Sequence, residues 1–306
     1  MSPPRDAFRC ADAARERGDP LVGSAPQTNQ WLLIEHPGPW RTDAVADSGI
    51  AGAVLEALNA AAQRSSTRIL LVRRPGRHVR TDHPRWILAG LDTATWQGHW
   101  ESDDDLLAAT DAMTRGLDNA PQDPLILVCT HGVHDTCCAL RGRPVAAALA
   151  EQWPEAVWEC SHVGGDRFAP NVVVLPDGFY YGNLNPDTAV DAIRQHLSGN
   201  VPAAYLRGTA RHLPPVQAAV AATYERCGPL RPSDVTVREV HRTGPHDGHG
   251  AETTVLLEVD GRPQPIRVEV LSVRRAEAQL TCHAMRATPA TEYRVQQFGP
   301  DPGRVG

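Results

Sequence analysis

Two short stretches of the chain hold cysteine, histidine and aspartate at spacings that could bind a metal. Residues 129–138 read Cys-Thr-His-Gly-Val-His-Asp-Thr-Cys-Cys, and residues 160–171 read Cys-Ser-His-Val-Gly-Gly-Asp-Arg-Phe-Ala-Pro-Asn. Thiolate and imidazole ligands suit zinc and iron–sulfur clusters. Glycine allows backbone N–H groups to approach closely, and such groups can donate hydrogen bonds to cluster sulfides. The two stretches together therefore predict one shared metal site.

The spacing of these residues bears on which metal they would hold. Cys129 and Cys138 are separated by eight residues, whereas the cysteines of a zinc knuckle are separated by about two to four. His162 precedes Asp166 by four positions, across Val-Gly-Gly. A binuclear iron cluster needs two ligands on each iron, and two loops with two ligands each would supply them. The spacing alone also allows zinc.

Each of the two stretches follows a predicted buried strand. Leu125–Cys129 is a short apolar run that predicts a buried strand, Val157–Cys160 is the next predicted strand, and the residues from Cys137 to Gln152 between them predict a helix. The unit continues with a hairpin and a helix, predicted at Val172–Leu175, Phe179–Gly182 and Pro186–Ser198. The resulting order is βαβββα, with both cysteine-bearing loops at the C-terminal ends of strands. Ligand sites of open α/β sheets lie at such ends.

The flanking regions predict further α/β structure without an internal sequence repeat. Before residue 121 we expect strands at Trp31–Glu35 and Arg68–Arg73 and helices at residues 43–63 and Asp103–Leu117. Arg85–Leu91 and Thr95–Glu101 predict a hairpin between the second strand and the second helix. After residue 200 we expect one helix and three strands, at Pro214–Arg226, Val235–His241, Glu252–Val259 and Gln264–Leu271. The loop that holds His246 and His249 is interpreted as a hairpin connection rather than a metal site. These patterns predict an α/β (α+β) protein with regions 1–120, 121–200 and 201–306.

The composition excludes several classes of site. All 30 basic side chains among the 306 residues are arginine, which rules out Schiff-base and P-loop lysines. The net charge of −6 gives no general attraction to nucleic acid. The apolar runs are too short to span a bilayer. The N-terminal residues MSPPRDAFRC lack an apolar secretory signal, so we expect a cytoplasmic protein.

Cysteine usage also favours metal or redox chemistry. The chain has seven cysteines, an odd number that does not favour disulfides in a cytoplasmic protein. Four of them, Cys129, Cys137, Cys138 and Cys160, fall within the two loops and their flanking strands and helix. The others are interpreted as small buried hydrophobic residues, namely Cys10, Cys227 and Cys282.

The same residues resemble the sucrase/ferredoxin-like family, whose members contain a thioredoxin-like ferredoxin unit. The resemblance lies in Cys-x-His-Gly-x-x-Asp-x-x-Cys at 129–138 and His-Val-Gly-Gly-x-x-x-Ala-x-Asn at 162–171. The stretch Trp-Leu-Leu-Ile-Glu-His-Pro-Gly-Pro-Trp at 31–40 and the turn Asp-Gly-x-x-Tyr-Gly at 177–182 also match. The resemblance runs through roughly residues 8–185. It implies a thioredoxin-like ferredoxin domain at 121–200, between an N-terminal α/β region and a small C-terminal α+β region.

The resemblance further implies a [2Fe–2S] cluster with mixed cysteine and histidine ligation. Cys129, Cys138 and His162 match the ligand positions of relatives. The fourth position is Asp166, where those relatives have histidine, and a carboxylate is a harder ligand than imidazole. We expect Asp166 to be the fourth ligand, with Cys137 or Cys160 as the alternatives, or else a variant without a complete cluster.

The function expected from these residues is electron transfer by an iron–sulfur redox protein, rather than catalysis by a stand-alone enzyme. Such a protein requires a redox partner, either a reductase or an electron acceptor, and we expect it to bind neither nucleic acid nor membranes. The alternatives are a thiol-based oxidoreductase that uses Cys137 or Cys138 near a helix N-terminus, and a zinc-containing or partner-binding module without redox activity. No paired-carboxylate motif supports sucrase chemistry.

Overall fold

The computed structural model describes residues 8–76, 83–91, 93, 95–115, 123–245 and 249–301. These residues form a nine-stranded mixed sheet, a second antiparallel sheet of four strands, and six α-helices, which confirms the predicted α/β class. In chain order the elements are α1 (Cys10–Glu16), β1 (Gln30–Glu35), α2 (Gly52–Ser65), β2 (Thr67–Arg73), β3 (Arg85–Gly90), β4 (Thr95–His99), α3 (Leu107–Arg115), β5 (Leu125–Cys129), α4 (Thr136–Gln152), β6 (Val157–Cys160), β7 (Val172–Leu175), β8 (Phe179–Tyr181), α5 (Pro186–Leu197), β9 (Leu206–Thr209), α6 (Pro214–Cys227), β10 (Val235–Thr243), β11 (Glu252–Val259), β12 (Ile266–Ala278) and β13 (Thr288–Pro300).

The large sheet consists of two units with the same connectivity. Its strand order is β4-β3-β1-β2-β6-β5-β7-β8-β9. In the first unit β1 is parallel to β2 and antiparallel to β3, and in the second unit β5 is parallel to β6 and antiparallel to β7. Each unit reads βαβββα along the chain, although the sequence shows no repeat. In the second unit, the order β6-β5-β7-β8 fits the thioredoxin-like arrangement that the resemblance implied.

A short antiparallel seam joins the two units. It pairs β2 with β6 through only two residue pairs, Val72 with Cys160 and Arg73 with Glu159. Because the strands are antiparallel and overlap at their C-terminal ends, the loops that follow β1, β2, β5 and β6 all lie near the middle of the sheet. The seam therefore brings loops of the first unit next to the predicted ligand loops of the second.

Most predicted elements are confirmed, several of them at their predicted bounds. The strands β5, β6, β7 and β11 begin and end as predicted. The segment predicted as one helix from Asp103 begins as a 3-10 turn, and α3 follows it to Arg115; its predicted end at Leu117, like the boundary at residues 120 and 121, lies outside the described residues. The elements α1, β9 and β13 were not predicted.

The helix predicted over residues 43–63 begins nine residues later, at Gly52. The side chain of Asp43 accepts a hydrogen bond from the backbone N–H of Ala46, and that of Asp47 accepts one from the N–H of Asp43. Such local bonds compete with helical backbone bonds. Gly49 then adopts a positive φ of 88°, which ends any helix there. The alanine content of this segment is therefore outweighed by its aspartates and its glycine.

Side chains alternate between the two faces of the large sheet and fill separate clusters. On one face of the first unit, Leu32 and Ile34 pack against α2 and α3. On the same face of the second unit, Ile126 and Val128 pack against α4, α5 and α6. On the opposite face a single cluster runs across both units, and it contains five cysteines: Cys10, Cys129, Cys137, Cys138 and Cys160. The cysteines thus lie in the layer shared by the two units.

The four-stranded sheet β10-β11-β12-β13 packs against α6. The connection between β10 and β11 is a hairpin, since Thr243 pairs with Glu252, as the sequence predicts; His246 lies outside the described residues. Among the described residues, none of the helices combines the length and apolar composition that a bilayer span needs.

Candidate metal centre

The four residues predicted as ligands lie together at the C-terminal ends of β5 and β6. Cys129 is the last residue of β5, Cys138 is in the first turn of α4, and His162 and Asp166 belong to the loop after β6. The thiol of Cys138 donates a hydrogen bond to Oδ1 of Asp166 at 3.2 Å, and Nδ1 of His162 lies 2.9 Å from the same oxygen. Cys129 completes the group through hydrogen bonds with Cys138 and His162.

The environment of Cys129 favours the thiolate form. A hydrogen bond from Cys138 holds the pKa of Cys129 well below its usual value, and His162 and the backbone N–H of His131 act in the same direction against the effect of burial. The pKa of Cys138 is correspondingly raised by that hydrogen bond and by burial. One thiol of the pair is therefore prepared as an anionic ligand.

His162 and Asp166 form an ion pair beside the two cysteines. Burial opposes the charged imidazolium, but hydrogen bonds and charges from Asp166 and Cys129 outweigh it and raise the pKa of His162 to about 9. Burial likewise opposes the Asp166 carboxylate, yet the His162 imidazolium lowers its pKa overall. Both groups are held in place by charge complementarity, with a nitrogen and an oxygen donor facing the thiols.

A loop from the first unit covers this group. Nε2 of His131 donates a hydrogen bond to the backbone carbonyl of Arg41 at 2.6 Å, and Nδ1 of His134 donates one to that of Thr42 at 3.3 Å. Nδ1 of His131 is buried and has no hydrogen-bond partner. The ring of His134 stacks on His162 with centroids 3.8 Å apart. The two histidines of the first motif thus connect the site to residues 36–51.

The site is buried on its thiol side and open on its imidazole side. Cys129 and Cys138 are each 1% exposed, whereas the side chains of His134 and His162 are 33% and 27% exposed. A groove of about 370 Å³ runs along the imidazole side, and Arg68 lines it with residues of the 36–51 loop. A molecule approaching from solvent would meet the imidazoles first.

The loop after β6 is fixed by a fully buried arginine. The guanidinium of Arg207 donates hydrogen bonds to the carbonyl of Gly164 at 2.9 Å, to Oδ1 of Asn171 at 2.8 Å, and to the carbonyl of Ser24 at 2.5 Å. Gly164 and Gly165 have φ values of 86° and 77°, a region that favours glycine. A Cβ on Gly165 would overlap Arg207. The Gly-Gly pair of the motif therefore allows the arginine to hold the loop.

The start of α4 is fixed in a similar way. Asp135 caps the helix by accepting a hydrogen bond from the backbone N–H of Cys137 at 2.9 Å. One turn further along, Gly142 packs against the end of β5, where a Cβ would overlap the carbonyl oxygen of Cys129. The close contact of α4 with β5 is what brings Cys138 to Cys129.

Of the two alternative ligands, Cys160 lies next to the candidate centre and Cys137 contacts other residues. Cys160 is fully buried in the sheet core, beside Cys129 in the register of β5 and β6. The thiol of Cys137 contacts Cys10 and Cys282 instead of the four residues above. The sequence alone does not reveal the contact of Cys137 with Cys10 and Cys282, or the roles of Arg207 and of residues 36–51. Each of these contacts joins segments that lie far apart along the chain.

The donor set of this centre, two thiols, an imidazole and a carboxylate, suits a thiophilic metal ion or an iron–sulfur cluster. The family model described as sucrase/ferredoxin-like matches residues 21–208, more than half of the chain. No curated protein and no solved structure matches the chain significantly.

Proposed function

The chain belongs to the sucrase/ferredoxin-like family, and from this premise we propose that it is an electron-transfer protein carrying a [2Fe–2S] cluster. Its ligands are Cys129, Cys138, His162 and Asp166. The observation that carries the proposal is the convergence of these four side chains, from two loops, on one buried point at the C-terminal ends of β5 and β6.

The chemistry of the residues fits such a group. Each loop offers two donors, which is the number that each half of a binuclear cluster requires. The backbone N–H of His131 donates to the sulfur of Cys129, and hydrogen bonds of this kind tune the potential of iron–sulfur centres. When bound, the cluster supplies one-electron transfer. The buried thiol side excludes water, and His162 offers its ring to solvent.

The exposed imidazole side is the proposed face for electron exchange. A redox partner protein, either a reductase or an electron acceptor, contacts the groove beside His134 and His162 and the rim formed by Arg68. The absence of lysine makes arginine the basic residue available for an acidic partner surface. A cytoplasmic location remains part of this proposal.

The first experiment is the metal analysis of protein purified without oxygen. We expect a brown protein with about two irons and two acid-labile sulfides per chain. Cys129→Ser and Cys138→Ser should each lose iron, sulfide and colour, and Cys227→Ser is the matched control, since Cys227 lies at the end of α6. Stoichiometric zinc without sulfide that disappears in Cys129→Ser would replace the cluster with a zinc site.

A second experiment addresses the fourth ligand. If Asp166 binds iron, Asp166→Ala should lose the cluster, and Asp166→His should retain it with a shifted absorption and electron paramagnetic resonance spectrum. Cys160→Ala and Cys137→Ala should leave the spectrum unchanged. A wild-type spectrum in Asp166→Ala, together with loss in either cysteine variant, would reassign the ligand while leaving Cys129, Cys138 and His162 in place.

The burial of the cysteines argues against the thiol-based oxidoreductase. Cys137 and Cys138 are each 1% exposed, so neither thiol offers the access that attack on a substrate disulfide requires. Turnover of a small disulfide substrate by the metal-free protein, lost in Cys138→Ser, would favour that alternative.

A further inference from the structure

A second cluster of metal-ligating side chains lies on the other side of α4 from the candidate centre. It consists of Cys10 at the start of α1, Asp135 and Cys137 at the start of α4, and Cys282 in the turn between β12 and β13. One potential ligand atom from each residue lies within 4.8 Å of every other. Up to 272 positions separate its members along the chain, so folding alone brings them together.

We propose that Cys10, Asp135, Cys137 and Cys282 form a structural zinc site, separate from the cluster proposed above. Three thiolates and one carboxylate are a donor set that Zn²⁺ accepts, in the closed tetrahedral arrangement of structural sites. The site would bind one zinc ion per chain and connect the N-terminal helix, the second unit and the C-terminal sheet.

The distances fit this geometry. With zinc–sulfur bonds of about 2.3 Å, two sulfurs at corners of a tetrahedron lie about 3.8 Å apart. The sulfur of Cys282 lies 3.5 Å from that of Cys137 and 3.5 Å from that of Cys10. The sulfur of Cys10 lies 3.4 Å from Oδ1 of Asp135. Binding an ion requires these sulfurs to move apart by only about 0.3 Å.

Backbone N–H groups point at two of the three sulfurs. The backbone N–H of Ala11 donates to the sulfur of Cys137, and the N–H groups of Cys10 and Cys137 donate towards that of Cys282. N–H donors of this kind are a recurrent outer layer of metal–thiolate sites. Oδ2 of Asp135 accepts from the backbone N–H of Cys282 at 2.6 Å, which orients the carboxylate towards the three sulfurs.

Burial gives a second argument for a cation. Asp135 and Cys10 are fully buried, and Asp135 takes part in none of the salt bridges found among the described residues. Backbone N–H groups of Cys137 and Cys282 offset part of the cost of burying this carboxylate, and a metal ion would supply the cation that it lacks. A disulfide does not serve the same purpose, because pairing two of the three cysteines leaves the third thiol and the carboxylate as they were.

The test is the zinc content of the full-length protein, purified without oxygen from zinc-supplemented cells, with iron and sulfide measured on the same samples. We expect Cys282→Ser and Cys10→Ser to contain one zinc fewer per chain than wild type, with unchanged iron. Cys282 is partly exposed in a turn, so its variant is the less disruptive of the two. Cys227→Ser is the matched control and should keep its zinc.

Two further measurements separate this site from the [2Fe–2S] site. Cys138→Ser should lose iron but keep the zinc, so failure of the iron proposal leaves the zinc proposal testable. Cobalt added to the zinc-free protein should give the intense visible bands of a tetrahedral thiolate site, and Cys282→Ser should lose them. Equal zinc content in wild type and Cys282→Ser would overturn the proposal. Loss of iron from Cys282→Ser with unchanged zinc would also overturn it, and so would a disulfide among the three cysteines in the anaerobic protein.

Discussion

The two βαβββα units of the large sheet share their strand order but differ at the ends of their first strands. In the first unit, Glu35 and Val72 form the last register pair of the parallel strands, and in the second, Cys129 and Cys160 occupy the equivalent row. The connection to the following helix spans residues 36–51 in the first unit and only 130–135 in the second. No cysteine occurs in the first unit's residues 30–115.

This difference separates what topology supplies from what the site requires. Both units place a strand end, a loop and a helix N-terminus at the middle of the sheet. The side chains of the candidate centre come together only in the second unit, where a short loop brings α4 directly onto the end of β5. In the first unit the longer loop instead reaches across the seam and covers the centre of the second. One unit thus provides the proposed ligands and the other covers them, which agrees with the rule that function resides in the site and not in the fold.

The largest effect should come from the arginine that fixes the second unit's ligand loop. Arg207→Met would leave the carbonyls of Gly164 and Ser24 without their buried donor, so we expect the free energy of unfolding to fall by about 3 kcal/mol or more. Arg85→Met is the matched change in the first unit. The side chain of Arg85 is 34% exposed and lies 3.7 Å from Glu35, whose side chain is 7% exposed, so its loss should cost about 1–2 kcal/mol.

Chemical denaturation of the two variants measures this contrast. Similar losses of stability in Arg207→Met and Arg85→Met would mean that Arg207 does not stabilise the second unit more than the half-buried Arg85–Glu35 pair stabilises the first. The same samples should show weaker metal retention in Arg207→Met, because Gly164 lies between His162 and Asp166.

A glycine pair tests the contact between helix and strand in each unit. Gly142→Ala places a methyl group against the carbonyl oxygen of Cys129, and we expect a loss of about 1–3 kcal/mol of stability together with reduced metal content. Gly52→Ala, in the first turn of α2, meets no atom within 4 Å and should be neutral or stabilising by up to about 1 kcal/mol. Thermal unfolding and iron analysis distinguish the outcomes, and equal behaviour of both variants would contradict the difference in packing.

A smaller effect is expected at the seam. Arg73 on β2 and Glu159 on β6 form an ion pair at 2.8 Å, and the Glu159 side chain is only 9% exposed. Arg73→Met should therefore lower the free energy of unfolding by about 1–2 kcal/mol. Arg238→Met removes an ion pair with Glu258 between two half-exposed side chains and serves as the control, with an expected change below about 0.5 kcal/mol. If Arg238→Met loses as much stability as Arg73→Met, the Arg73–Glu159 pair contributes no more to stability than an exposed ion pair.

The smallest effect concerns pH. Burial lowers the pKa of His212, which follows β9 at the edge of the second unit, to about 4, while the unfolded chain titrates near about 6.5. The unfolded state therefore takes up its proton first, and stability falls as the pH drops below about 6.5 until the folded His212 also titrates. Between pH 8 and pH 6 the expected loss is below about 1 kcal/mol.

The difference between wild type and His212→Gln isolates this contribution. The variant should lose less stability than wild type over the same range, because glutamine does not titrate. Identical pH profiles for wild type and His212→Gln would show that His212 is protonated equally in the folded and the unfolded state. His36 in the first unit, whose pKa burial also lowers, allows the same comparison across the seam.

The sequence predicted the second unit better than the first for a physical reason. Leu125–Cys129 is apolar on both faces, and both it and Val157–Cys160 are flanked by proline or glycine, so the bounds of these two strands could be predicted from the sequence. The start of α2 depended on side-chain bonds of Asp43 and Asp47, which outweigh helix propensity.

The ligand motifs were also visible, because each lies within one loop. The cluster around Cys282 was not, since its thiols come from opposite ends of the chain. The repeated strand order escaped detection as well, because Glu35 and Val72 share no chemistry with Cys129 and Cys160. Connectivity is preserved between the units while their side chains are not.

The first turn of α4 has one further consequence. Cys137 and Cys138 are consecutive, and neighbouring helical side chains point about 100° apart, so a single rigid turn faces both proposed metal sites. Any coupling between the occupancies of the two proposed sites would pass through that turn. Whatever factor zinc contributes to the affinity for the cluster, the cluster must contribute to the affinity for zinc, because linkage is reciprocal. The order of metal loading can change the rate of maturation, but the free energy of the fully loaded protein is the same by either route.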